Sequence, residues 1–408
     1  MTYETPQSVT RFRNIGFGVA AVGLILLAVG SFLFVGEGLT ATDRFFESYL
    51  FGFFFAMLLP IGSLGWLMVQ YLTGGTWALA ARRLLEAGAL TLPVMALLSI
   101  PVVLAAFNVD GGHYLFEWAN PAVITPGSPE FDRIIAHKVP WLSPLWFTGR
   151  MVIYFAIWCG LAILLRRFSL DLERTGDPQY KLRARPWAGV GIALFVITVT
   201  FAAFDWGMSL DPHWFSTIYG AVYIVCAGLV TMAFTIIVIS QLVHTPLFEE
   251  FLSAKQWHDM GKLMFAFVVL WTYTNFGQYV IIWAGDIVEF TPWFIHRGEN
   301  GWEWVMTFLV AFNFAFPFFV LLSRQNKRNL RVLSAIAALL IVVQFVNTVW
   351  YILPEFHESV LQITLGDIGA AVGLFGLVVG VYMINLSRAP VLATKDPVLV
   401  EMVHAGGH

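Results

Sequence analysis

The chain has 408 residues, of which 58% are hydrophobic and 12% charged, with a formal net charge of −3. Soluble domains carry roughly 25% charged residues, so about half the charge needed to cover a water-facing surface is missing. The 16% aromatic content excludes a disordered chain, the charge gives no support for nucleic-acid binding, and two cysteines cannot build a disulfide framework or a multi-cysteine metal site.

A membrane-crossing helix needs about 20 mostly apolar residues. Ten such runs follow one another, at 14–36, 45–73, 82–107, 144–167, 187–208, 215–243, 257–285, 301–324, 330–353 and 363–386. Barrel strands would be about 10 residues long and strictly alternating. These runs are longer and continuously apolar, so the expected fold is an all-α polytopic membrane protein with about ten transmembrane helices and no soluble domain. The first run lacks a small-residue cleavage site after a short apolar core, so it reads as a retained helix and not a signal peptide.

Orientation follows from Lys and Arg in the connections. With the N-terminus in the cytoplasm, the inner segments hold 17 of them and the outer loops 4. The positive-inside rule therefore predicts cytoplasmic termini. The longest connection, 108–143, falls outside and is rich in Pro, Gly and acids. The second longest, 166–186, is a basic inner loop. A short tail follows Ser387.

Membrane redox proteins often hold haem between histidines on facing helices. Here His113, His137, His213, His244, His258, His296, His357, His404 and His408 all fall in loops, tails or the end turns of spans. Cys159 and Cys226 are isolated on separate spans. No metal or haem is expected on this chain.

Ionisable residues inside a membrane are functional candidates by default. Arg150 lies in the outer part of span four, with Tyr154 one turn below it. It reads either as a snorkelling cation or as an anchor for an acidic partner or a quinone carbonyl. Asp205 ends span five, just before Asp211-Pro212-His213-Trp214, and reads as a helix cap or a weak contact of the same kind. Glu86 follows Arg82 by four residues, as a surface pair would. Asn313, Gln344, Asn347 and Asp367 read as single core hydrogen-bonders. Trp141, Trp146, Trp206, Trp214, Trp293 and Trp302 look like an outer interfacial belt.

Span seven is the most polar helix. At about 100° per residue, His258, Lys262 and Tyr273 fall on one side. Asn275, Tyr279 and Asp286 fall on the other, flanked by Gln278 and Glu289. A lipid-facing helix would carry neither patch, so span seven is expected inside a bundle. Its polar groups read as interhelical hydrogen-bond glue, as the polar ends of a quinone-like cavity, or as a proton relay. In the relay His258, Asp259 and Lys262 form the inner mouth, Tyr273 to Gln278 the bridge, and Tyr279, Asp286 and Glu289 the outer release. Asp286 would then need burial to raise its pKa.

Three segments carry a resemblance: HKVPWLSPLWFTGRMVIYFAIW at 137–158, FDWGMSLDPHWFSTIYG at 204–220 and GKLMFAFVVLWTYTNFGQYVIIWAGDIVEF at 261–290. Together they resemble the NrfD-like, or polysulfide reductase membrane-subunit, family, and within it the shorter of two such subunits in bacterial alternative complex III. The resemblance covers nearly the whole chain. It implies two four-helix bundles, spans 2–5 and 6–9, plus flanking helices, in a bacterial cytoplasmic membrane. It implies a menaquinol oxidoreductase complex passing electrons to a periplasmic acceptor such as a cytochrome c. This chain would scaffold the complex, with proton conduction or menaquinol contact as further roles, and would not be catalytic alone. Iron–sulfur clusters and c-type haems would sit in partner subunits, beside a longer homologous NrfD-like subunit. One stretch departs from the family: its usual Asn-Ile-Pro-Glu-Glu is here Asp286-Ile287-Val288-Glu289-Phe290, so one acid moves and one is lost. A secondary transporter is the alternative, because Pro60, Pro93, Pro101 and Pro317 interrupt spans.

Overall fold

The computed structural model describes residues 6–33, 39–75, 77–109, 111–245, 248–249, 253–357, 360–396 and 399. Asp110 of the long loop and the tail beyond 399, with His404 and His408, lie outside the described residues. Within them, ten helices are long and apolar enough to cross a membrane. They are α1 (Gln7–Leu33), α2 (Ala41–Thr73), α3 (Trp77–Ala106), α4 (Pro144–Thr175), α5 (Gln179–Leu210), α6 (Tyr219–Leu242), α7 (Ala254–Gly285), α8 (Trp302–Leu322), α9 (Leu330–Glu355) and α10 (Leu365–Ser387). No strand occurs among the described residues. The protein is an all-α polytopic membrane protein.

One boundary differs from expectation. The basic stretch 166–186 is helical on both sides of a three-residue turn, because α4 continues to Thr175 and α5 starts at Gln179. Gly176 ends α4 in the left-handed conformation, at φ 73°, which glycine adopts without a Cβ penalty. The Leu- and Arg-rich flanks are good helix formers even beyond the apolar run.

The helices pack as two groups that meet chiefly along α2 and α6, with α5 also against α6. Helices α2 to α5 contact one another, as do α6 to α9, and α2 lies along α6. That seam is tight: a Cβ on Gly62 would meet the Ala227 carbonyl oxygen at 2.1 Å. Helix α10 packs on α2, and α1 packs against both α10 and α2. Gly16, Gly23 and Gly30 of α1 face Gly380, Gly373 and Gly366 of α10, and a Cβ on Gly23 would lie 2.3 Å from the Gly373 nitrogen. Only glycine permits that approach, as in small-residue seams of membrane helices generally.

Prolines bend several spans, because each removes one intrahelical hydrogen bond. Helix α2 breaks at Met57 before Pro60, and α3 breaks at Thr91 and Ser99 before Pro93 and Pro101. All three break residues keep right-handed helical dihedrals, so these are kinks and not unwound segments. The Tyr223 hydroxyl donates to the Phe54 carbonyl beside the first kink, at 2.9 Å. Helix α8 widens into a π-helical turn over Val310–Ala315, just ahead of Pro317.

Candidate functional site

Helix α7 begins with a capping box between Ser253 and Gln256 and ends at Asp286 in the left-handed conformation. It buries a single strip, made of Gln256, Met260, Gly261, Met264, Val268, Trp271, Thr274 and Gln278. The opposite flank faces outward, where Tyr273 is 72% exposed. Span seven is therefore peripheral, contrary to the expectation from its polarity. The centre belongs to α2 and α6, whose side chains are buried along most of their length.

The structure distributes the α7 candidates over separate places. His258, Asp259 and Lys262 gather near its first turns. The Lys262 Nζ lies 2.6 Å from Asp259 Oδ1, and His258 Nδ1 lies 3.7 Å from the same oxygen. Tyr273 stands apart on the outer flank. Asp286 and Glu289 are exposed at the far end, so Asp286 lacks the burial that a relay role requires. Glu289 borders a surface groove of about 590 Å³ with Lys138, Asp211 and His213.

Asn275, Gln278 and Tyr279 do come together, toward α8 and α9. The Tyr351 hydroxyl donates to Asn275 Oδ1 at 2.5 Å, and Asn275 Nδ2 donates to the Trp271 carbonyl at 2.8 Å. Trp271 Nε1 donates to Asn347 Oδ1 at 3.2 Å, and Asn347 Nδ2 reaches Cys226 Sγ at 3.3 Å. Gln344 Nε2 donates to Asn313 Oδ1 at 2.9 Å. The Tyr219 ring meets the Tyr351 ring edge-on at 5.3 Å. These side chains form a buried polar seam linking α6, α7, α8 and α9. Asn313, Gln344 and Asn347 are thus not scattered. Tyr351 was missed, although Gln344, Thr348 and Tyr351 recur at the spacing of one helical face.

Arg150, Tyr154 and Asp205 form one cluster. Arg150 donates through Nε to Asp205 Oδ2 at 2.9 Å and through Nη2 to Oδ1 at 2.7 Å. The Tyr154 hydroxyl donates to Oδ2 at 2.8 Å. Arg150 Nη1 donates to the Trp141 carbonyl at 2.7 Å, and the guanidinium lies over the Trp141 ring at 4.1 Å. The acidic partner of Arg150 is therefore inside the chain, and the cluster ties α4 to α5.

Glu86 is not half of a surface pair. It is fully buried, held by Arg83 at 3.0 Å and by Arg166. Arg83 also reaches Glu173 at 3.2 Å, while Arg82 pairs with Asp396, which Lys181 approaches at 3.2 Å. The partners come from α4, α5 and the segment after α10, which no local spacing reveals. Arg297, just past the short helix Thr291–His296, is likewise buried. It pairs with Glu355 at 2.6 Å and lies 3.7 Å over the Trp293 ring.

In the long loop, Asp132 caps the short helix Arg133–Lys138 and bonds to His213 Nε2 at 2.9 Å. The His213 hydrogen bond, aided by the backbone amides of Ile135 and Ile134, holds the Asp132 carboxyl below its ordinary range. Burial lowers the Lys138 pKa and raises that of Glu117. Among the described residues no three His, Cys, Asp or Glu side chains are grouped so as to hold a metal. Comparison with family models and with curated protein sequences found no match.

Proposed function

We propose that this chain is an integral membrane subunit of a quinol:electron-acceptor oxidoreductase of the alternative complex III kind. In this reading it lies in a bacterial cytoplasmic membrane with both termini inside, and it scaffolds the complex beside a longer homologous subunit. Iron–sulfur and c-type cytochrome partners carry the electrons. The observation that supports it best is the buried polar seam. Asn275, Tyr351, Asn347, Gln344 and Asn313 hydrogen-bond to one another or to their neighbours across four helices, where packing alone would use apolar side chains. Such groups can pass or orient protons, and His258, Asp259 and Lys262 offer an exchangeable cluster near one end of α7.

A secondary transporter draws less support. Transporter sites use unwound half-helices near mid-membrane, whereas Met57, Thr91 and Ser99 keep helical dihedrals.

The test is gentle extraction from the native membrane. Co-purifying c-type haem and a second, homologous membrane subunit are the expected result. A chain that emerges colourless and alone would overturn the reading.

A further inference from the structure

At the Gly285 end of α7 two surface grooves meet. The larger, of about 590 Å³, is bounded by the long loop, the segment after α5 and Glu289. The smaller, of about 310 Å³, runs between the start of α6 and the last turns of α7. Phe215 lines both, and its ring meets that of Phe290 edge-on at 4.7 Å.

The two grooves differ in chemistry. Ile218, Ile281, Ile282, Ile287 and Phe290 wall the smaller one, which reaches along α7 to the level of Gln278. From Gly285 that is about 10 Å, at the helical rise of about 1.5 Å per residue. Ile281 is 73% exposed, so this groove opens to the side of the helix bundle, where lipid lies. The larger groove carries charges of both signs. The Lys138 ammonium donates to the Pro212 carbonyl, and its Nζ lies 6.0 Å from the Phe215 ring centroid. Pro212 and Phe215 both line the groove, so the ammonium faces it, with two of its three donors uncommitted. Glu289 is exposed and has no hydrogen bond or ion pair among the described residues. Asp211 adds a second carboxylate to the lining, whereas His213 is held by Asp132. A headgroup with only negative charge would meet the two carboxylates, and a simple cation would meet Lys138. A zwitterion matches both. Trp141 borders the same groove, as tryptophans do at headgroup level.

We propose that the joined grooves hold one zwitterionic phospholipid of the ethanolamine class. Its phosphate takes the uncommitted Lys138 donors, and its ammonium lies against Glu289 and Asp211. An acyl chain then descends past Phe215 along Ile281 and Ile282. The test is native mass spectrometry of the full chain, released from nanodiscs of equal phosphatidylethanolamine and phosphatidylglycerol. One retained phosphatidylethanolamine per chain is expected, in preference to phosphatidylglycerol. Glu289→Gln should lower that preference about threefold to fivefold, the scale of an exposed ion pair. Glu289→Lys should reverse it. Ile281→Trp, at a lipid-facing position, should block the smaller groove and lose both lipids while the thermal melt is unchanged. Excess glycerophosphoethanolamine, which lacks acyl chains, should not displace the lipid. Equal retention of the two lipids, a preference that Glu289→Lys leaves unaltered, or full displacement by the chainless headgroup would overturn the site. So would a photo-crosslinker at Val288 that captures a protein and no phospholipid in the native membrane, because a partner would then cover the grooves.

Discussion

Replacing Asp205 by Leu removes the carboxylate that holds Arg150 and Tyr154. Arg150 then loses hydrogen bonds of 2.9 and 2.7 Å, and Tyr154 loses one of 2.8 Å. What remains to the guanidinium is the Trp141 carbonyl and ring. Stranding one member of a buried pair costs about 3–5 kcal/mol, whereas replacing the whole pair by well-packed apolar groups is often neutral or stabilising. The single variant should therefore lose about 3–5 kcal/mol in a reversible detergent-unfolding titration. Arg150→Met in the same chain should restore most of it, less about 1–3 kcal/mol for the orphaned Tyr154 hydroxyl, which Tyr154→Phe should return. A single-variant loss below about 1 kcal/mol, the scale of an exposed pair, or a double variant no better than the single, would refute the account of a closed internal pair.

Gly23→Leu should separate α1 from α10, because even a Cβ there collides with the Gly373 backbone; cysteine cross-linking across the seam should fall sharply, and unchanged yield would contradict the packing. The Asp132 carboxyl should titrate below the ordinary carboxylate range and move back up toward it in His213→Ala, read by carbon NMR of the side chain. Because its folded pKa is depressed, its tie to the His213 loop is present above the ordinary carboxylate value and is lost as pH falls through the lower, folded one; an unmoved midpoint counts against the tie. Reporter fusions at the C-terminus and near Gly127 should report opposite sides of the membrane, and agreement between them would end the proposed orientation.

The helices were legible because lipid demands long apolar runs, and each of the ten runs has its helix. The extension of α4 and α5 was not, since hydropathy marks where a span leaves the apolar region and not where a helix stops. The place of α7 was misread for a related reason. Polarity along one helix does not tell which groups are satisfied at home: Lys262 finds Asp259 one turn away. The strip that α7 buries is mostly Met, Val, Gly and Trp. Asn275, Gln278 and Tyr279 lie together because helical spacing decides that, whereas Asp286 and Glu289 of the same expected group do not join them. The Asn275 partner Tyr351 lies 76 residues away, and the partners of Glu86 and Arg82 lie on α4 and beyond α10. Such pairings exist only once the chain has folded back on itself.

The glycine seam between α1 and α10 has a consequence in time. Its contacting residues, such as Gly23 and Gly373, are 350 positions apart. At about 5–20 residues per second of synthesis, the first helix waits on the order of tens of seconds for the last one to be made. Throughout that interval a groove of bare backbone lies open to lipid or to any passing helix with small side chains. Helix α10 acts as a closing element for α1, and a ribosome that stalls before it leaves the glycine face of α1 as an unfilled slot.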